Sequence, residues 1–169
     1  MKILVCGDVH AGKSTLIRKL INDMGERPRG YITVRIPSPP GVNSYVYLYD
    51  AANPPERLED AAVIMILCDE KRELHPELLD TLGVSYLENI PEGSLVVLDE
   101  VGTLESRAPE FQKAIMRILS GNYRVLASIK AQNTEFLRAV RSHPDCELYI
   151  ITESNRDSLY RQLKEEYGI

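Results

Sequence analysis

Residues 7 to 14 read Gly7-Asp8-Val9-His10-Ala11-Gly12-Lys13-Ser14, and Thr15 follows. The stretch has glycines at its first and sixth positions, then lysine and a hydroxyl residue. Each residue type answers a physical need. Glycines let the backbone turn tightly and bring several N–H groups toward one anion. A helix starting at the end of the loop adds the partial positive charge of its N-terminus. A lysine there reaches β- and γ-phosphate oxygens, and a hydroxyl can ligate Mg²⁺. The bland alternative is an ordinary glycine-containing βα turn, and the full Gly-x4-Gly-Lys-Ser spacing between a strand and a helix favours the phosphate loop. The apolar run Ile3 to Cys6 precedes the loop, as expected of a strand buried on both faces. Leu16, Ile17, Leu20 and Ile21 follow at helical spacing, with Gly25 as a stop. This is a P-loop, and Gly7, Asp8, Val9, His10, Ala11, Gly12, Lys13, Ser14 and Thr15 are its expected nucleotide-binding residues.

Outward from the loop, Tyr31 to Ile36 and Tyr45 to Tyr49 are β-rich, and the Pro-rich turn 37–41 separates them. They predict a hairpin in, or edging, the main sheet, with Tyr31, Tyr45, Tyr47 and Tyr49 packed as one face. Ala61 to Cys68 predicts a further strand and Glu77 to Asn89 a helix. The second half alternates: strand Leu95–Leu98, helix Pro109–Leu119, strand Tyr123–Ile129, helix Thr134–Arg141, strand Leu148–Ile151, helix Arg156–Tyr167. Such alternation predicts a three-layer α/β fold, a mostly parallel sheet with helices on both faces, and one domain over residues 1–169.

Leu95-Val96-Val97-Leu98 ends in Asp99-Glu100. An apolar strand ending in an acid is the second half of a P-loop site, so Ser14 and Asp99 are the expected Mg²⁺ ligands. Glu100, one residue on, points to the other side of the strand line and is placed to activate water. Lys13 and Glu100 are therefore the expected catalytic pair. Arg35, Lys130 and Arg156 are candidates for a further cation at the transferring phosphate, and Ser128 for sensing it. Asn155 reads as the N-cap of the last helix. No Asn/Thr-Lys-x-Asp guanine-reading motif follows a later strand, which argues against a dedicated GTPase.

The chain has 169 residues, a net charge of −5 and three cysteines far apart in the sequence. The scattered Lys and Arg make a nucleic-acid partner unexpected. Neither a disulfide framework nor a zinc site is indicated. Met1-Lys2 leads straight into a strand too short for a leader or a membrane span, so a cytoplasmic protein without a membrane partner is expected.

Asp99-Glu100-Val101-Gly102-Thr103-Leu104-Glu105 resembles the Asp-Glu-[Ile/Val]-Gly-x-[Met/Leu]-Glu signature of the THEP1-like nucleoside-triphosphatases. Arg29-Gly30-Tyr31-Ile32-Thr33 resembles their Gly-aromatic-x-Thr strand. Phe111 and Ala114, Val125 to Ile129, and Thr152 with Asn155-Arg156-Asp157 fall in the same order. Departures are Thr33-Val34-Arg35, which lacks the acid of the family's Glu-Val-Arg segment, and Ser14-Thr15, where Thr-Thr is commoner. The resemblance implies a Mg²⁺-dependent nucleoside-triphosphatase, acting on ATP, GTP or another nucleoside triphosphate with broad preference and slow turnover. It also brings Asn155 and Arg156 near the base or phosphates. A small-molecule kinase on the same fold, with residues 50–72 as a lid, and a nucleotide-dependent switch whose protein partner is unknown, remain as other readings of the residues.

Overall fold

In the computed structural model, which describes residues 1–169, the first apolar run is strand β1 (Lys2–Gly7), and helix α1 (Lys13–Met24) follows the loop. The chain continues as β2 (Arg29–Ile36), β3 (Ser44–Asp50), β4 (Ala62–Cys68) and β5 (Lys71–Leu74). Helix α2 (Pro76–Leu78) runs on into a π-helical turn, Leu79–Gly83. Then come β6 (Leu95–Val101), α3 (Pro109–Ser120), β7 (Arg124–Lys130), α4 (Glu135–Arg141), β8 (Glu147–Ile150) and α5 (Arg156–Tyr167).

All eight strands join one sheet in the order β5-β4-β3-β2-β6-β7-β1-β8. Strands β2, β6, β7, β1 and β8 are parallel, and β3, β4 and β5 extend the sheet antiparallel beyond β2. Successive strand residues face opposite sides. Ile3, Val5, Leu95, Val97 and Leu126 therefore enter one core with Leu16, Ile17 and Leu20 of α1 and Leu159 and Leu163 of α5. Leu4, Cys6, Val96, Leu98, Val125 and Ala127 enter the other, with Phe111 and Ile115 of α3 and Phe136 and Leu137 of α4. Both faces of the parallel half are covered, which is why Ile3 to Cys6 contains no polar residue. Burying each such side chain stabilises the fold by about 1.5–3 kcal/mol. No helix is long and apolar enough to cross a membrane.

Three local expectations change. The segment 77–89 is helical only from Pro76 to Ser85 and carries a π-helical turn. Strand β5 was not foreseen: its Lys71-Arg72-Glu73 has no apolar alternation, and pairing with β4 alone makes it a strand. The four tyrosines split between faces. Tyr31 pairs in register with Asp50, on the face of Leu48 and Val46, and lies in the core against Phe111. Tyr45, Tyr47 and Tyr49 alternate with Val46 and Leu48 and so take the opposite face.

Where β2 enters the parallel sheet, Gly30 has φ +95°, and a Cβ there would stand 2.2 Å from the Val97 carbonyl oxygen. Any side chain is excluded by backbone, and backbone is the least able to move. Gly30→Ala should cost at least about 3 kcal/mol, whereas Gly41→Ala, with φ +77° but nothing within 4 Å, should cost about 1 kcal/mol. Urea unfolding of the two variants checks this, and equal losses would mean that the β2–β6 contact does not constrain residue 30.

Candidate functional site

The C-terminal ends of β1, β6 and β7 converge, with Gly7 opposite Lys130 in the β1–β7 register. In an open α/β sheet this is where a ligand binds. The loop from Gly7 delivers its backbone to the start of α1. His10 (φ +68°) and Gly12 (φ +102°) are left-handed, which turns N–H groups of the loop toward one side. Helix α1 has no side-chain cap at its start and no acid in its first turn, so its leading N–H groups are not taken up by side chains of its own first turn. Lys13 is buried, and its Nζ donates to the Gly7 and Asp8 carbonyls at 2.8 and 2.7 Å. Burial lowers its pKa, and Glu100 opposes that shift.

The acidic strand end is irregular. Leu98 pairs with Ala127 but Val101 pairs with Ile129, so β6 spends one extra residue against β7. Glu100 sits in this bulge with φ +65°. In a regular strand Asp99 and Glu100 would face opposite sides, as the sequence suggested. Here the bulge re-aims Glu100 into the cavity in front of the loop, and its Oε1 lies 3.6 Å from Lys130 Nζ. Asp99, 3% exposed, accepts hydrogen bonds at Oδ1 from Ser14 Oγ (2.8 Å) and Ser128 Oγ (3.0 Å). Ser128 Oγ also accepts from the Glu100 N–H at 2.6 Å. Ser128 is fully buried and committed to this link, which corrects its expected role as a phosphate sensor. Burial raises the Asp99 pKa, and the two hydroxyls oppose it.

A cavity of about 570 Å³ opens in front of these groups. Val9, His10, Gly12, Lys13, Ser14 and Thr15 line it from the loop, and Glu100 and Lys130 from the strand ends. Gly7, Asp8 and Ala11 shape the loop without lining the cavity. Asn155 and Arg156 do not line it either. Arg156 is exposed at the start of α5, with its Cδ 3.7 Å from where a Cβ on Gly12 would stand. Asn155 does not cap its own helix: Oδ1 accepts from Thr152 N and Nδ2 donates to the Ile150 carbonyl, so the side chain ties the β8–α5 turn together. Thr33, Thr103 and Gln132 also line the cavity and were not anticipated, and Arg72, a cation of the segment 50–72 read as a lid, lines it as well. Thr33 was within reach, since it shares a strand face with the candidate Arg35. No group of three or more His, Cys, Asp or Glu side chains forms a metal cage. The hydroxyl–carboxylate pair Ser14–Asp99 is a hard-oxygen donor set of the kind that suits Mg²⁺ with phosphate oxygens and waters completing its shell.

Glu105 is buried behind this arrangement, and its Oε2 accepts from the Gly102 N–H at 2.8 Å. Burial pushes its pKa up to about 7, against the lowering by that hydrogen bond. The folded carboxyl keeps its proton where the unfolded one, near 4.5, has lost it. Stability from this group is therefore full below pH 4.5 and falls as pH rises to about 7. Glu105→Gln preserves shape and the acceptor oxygen without the ionisation. Relative to the parent it should gain on the order of 3 kcal/mol between pH 4.5 and 8. Chemical unfolding at both pH values reads this, and a pH-independent difference would contradict the buried-carboxyl account.

Comparison with known proteins bears on the family and the fold. The chain is 26% identical to the nucleoside-triphosphatase THEP1 of Thermotoga petrophila over 181 residues, covering 96% of this chain and 90% of that one. It is 35% identical to the nucleoside-triphosphatase THEP1 of Thermofilum pendens over a shorter 99 residues, 57% of this chain and 54% of that one. The crystal structure of THEP1 from Aquifex aeolicus superposes with a TM-score of 0.77 at 19% identity, covering 96% of each chain. The solution structure of a human cancer-related nucleoside triphosphatase superposes with a TM-score of 0.67 at 20% identity, covering 96% of this chain and 94% of that one. At these identities the two structures speak for the fold. The NTPase family model matches residues 2–164, nearly the whole chain, and the chain therefore belongs to the NTPase family.

Proposed function

We propose that this nucleoside-triphosphatase hydrolyses NTP to NDP and phosphate with Mg²⁺, using Lys13 and the loop amides to hold the phosphates and Glu100 to activate water. The observation that carries the reading is the β6 bulge, which brings Glu100 to the cavity while Asp99 stays tied to Ser14. Ser14 and Asp99 would hold the metal, which when bound neutralises charge on the β- and γ-oxygens. Glu100 accepts a proton from water as the water oxygen bonds to the γ-phosphorus. The bond from that phosphorus to the bridging oxygen breaks, and NDP leaves. Lys130, 3.6 Å from Glu100, supplies positive charge beside the transferring group. Absence of a guanine-reading motif supports a broad nucleotide preference.

Glu100→Gln should lower phosphate release by roughly 10²–10⁴-fold while nucleotide still binds. A turnover like that of the parent in a single-turnover assay would remove Glu100 as the base. Chelation by EDTA should abolish turnover, and added Mg²⁺ should restore it. Full activity in the chelator would refute the Ser14–Asp99 metal site.

A further inference from the structure

The cavity extends well past the groups that phosphate chemistry needs. Its outer half lies on the antiparallel strands, where one sheet face is covered at one end by α3 and the π-helical turn and left open at the other. Register places Thr33 and Arg35 of β2, Val46 of β3, Met65 and Leu67 of β4 and Arg72 of β5 on this face. Val46, Met65 and Leu67 make an apolar floor, with Arg35 on one flank and Arg72 on the other. Neither arginine lies within ion-pair distance of a carboxylate. Asp69, the acid of this half, has its Oδ1 engaged by the Gly41 N–H at 2.9 Å.

Strand order says which part of a nucleotide this half would face. The loop follows β1, and Asp99 and Glu100 end β6, on the side of β1 toward β2. If Glu100 acts at the γ-phosphate, the triphosphate runs from the loop toward β6, and the nucleoside leaves on the opposite side, toward β8 and Arg156. The outer half then lies beyond the γ-phosphate, on the side from which a nucleophile approaches.

We infer that this outer half is a binding subsite for a second, small organic anion: a molecule with an apolar body and one phosphate or carboxylate group. The body rests on Val46, Met65 and Leu67, and the anionic group meets Arg72 on the β5 flank, about three strand spacings from Arg35 on β2. Arginine suits both anions, because its planar fork pairs bidentately with either. This inference rests on the proposed placement of Glu100 beside the γ-phosphate. An occupant seated there displaces water from the approach to Glu100.

Phenyl phosphate and benzoate serve as probes that lack a nucleophilic hydroxyl, with inorganic phosphate and benzyl alcohol as the anion and the body alone. Each is titrated by calorimetry into protein saturated with Mg²⁺ and a non-hydrolysable NTP analogue, and assayed for inhibition of NTP hydrolysis. At least one aryl anion should bind one-to-one and lower kcat without raising KM for NTP, and both single-feature probes should bind at least tenfold more weakly. Which of the two aryl anions binds tighter distinguishes a phosphate ligand from a carboxylate one. Arg72→Ala should weaken the preferred probe at least tenfold. Lys71→Ala, one residue away on the opposite face, should leave it unchanged. No calorimetric binding, inhibition competitive with NTP, or equal loss in both variants would overturn the subsite. Because the calorimetry uses no turnover, failure of Glu100 as the base would appear as binding without inhibition, which overturns the placement beside the nucleophile.

Discussion

One carboxylate oxygen, Asp99 Oδ1, joins three elements at the centre of the molecule. It belongs to β6, two residues before the strand's end, accepts from Ser14 in the first turn of α1 and accepts from Ser128 inside β7. A carboxylate this buried is tolerated only when hydrogen bonds replace the water it has lost. The two hydroxyls do that, and in return they set where α1 begins relative to the sheet. The N–H groups of that first turn are the groups that face an anion. The position of the phosphate-binding surface is thus linked to the desolvation of one acid.

The same serine governs the next residue. By accepting from the Glu100 N–H, Ser128 satisfies a donor that the bulge withdraws from regular pairing. Without it, the bulge would leave a half-buried N–H unmatched, at a cost of about 1–3 kcal/mol. With it, a left-handed glutamate becomes tolerable, and its side chain turns from the strand line into the cavity. Backbone irregularity and candidate chemistry coincide at this residue.

What the sequence disclosed follows from this. The loop was legible because glycine, lysine and serine at fixed spacing have few other uses together. The buried strands were legible because runs such as Leu95 to Leu98 need cover on both faces. The bulge was not legible: it depends on which residue of β7 meets which residue of β6, a tertiary fact. The direction of Glu100 was therefore misread by simple alternation, although its presence at the site was not. Strand β5 and the outer cavity were hidden for a related reason. Arg72 reads in the sequence as a lid cation of the segment 50–72, and only pairing with Leu67 places it in a strand on the open face. Asn155 holds the expected N-cap position of the last helix, but its side chain is spent on the preceding turn and not on a helix N–H.

Charge connects the two halves of the sheet. At the loop end, Lys13, Lys130 and Glu100 line the cavity, Asp99 is tied to Ser14, and Glu105 stands near half-ionisation at neutral pH. Those groups sum to neutral or slightly negative. A polyphosphate entering such a place gains little from fixed side-chain charge, and must rely on oriented N–H groups and on positive charge brought with it. The antiparallel half differs, since Arg35 and Arg72 outnumber Asp69 there. The cavity is therefore polarised along its length, from a charge-balanced end at the loop to a cationic end on the antiparallel strands. Strands β3 to β5 do more than extend the sheet: they place that cationic end in line with the side from which Glu100 faces the loop.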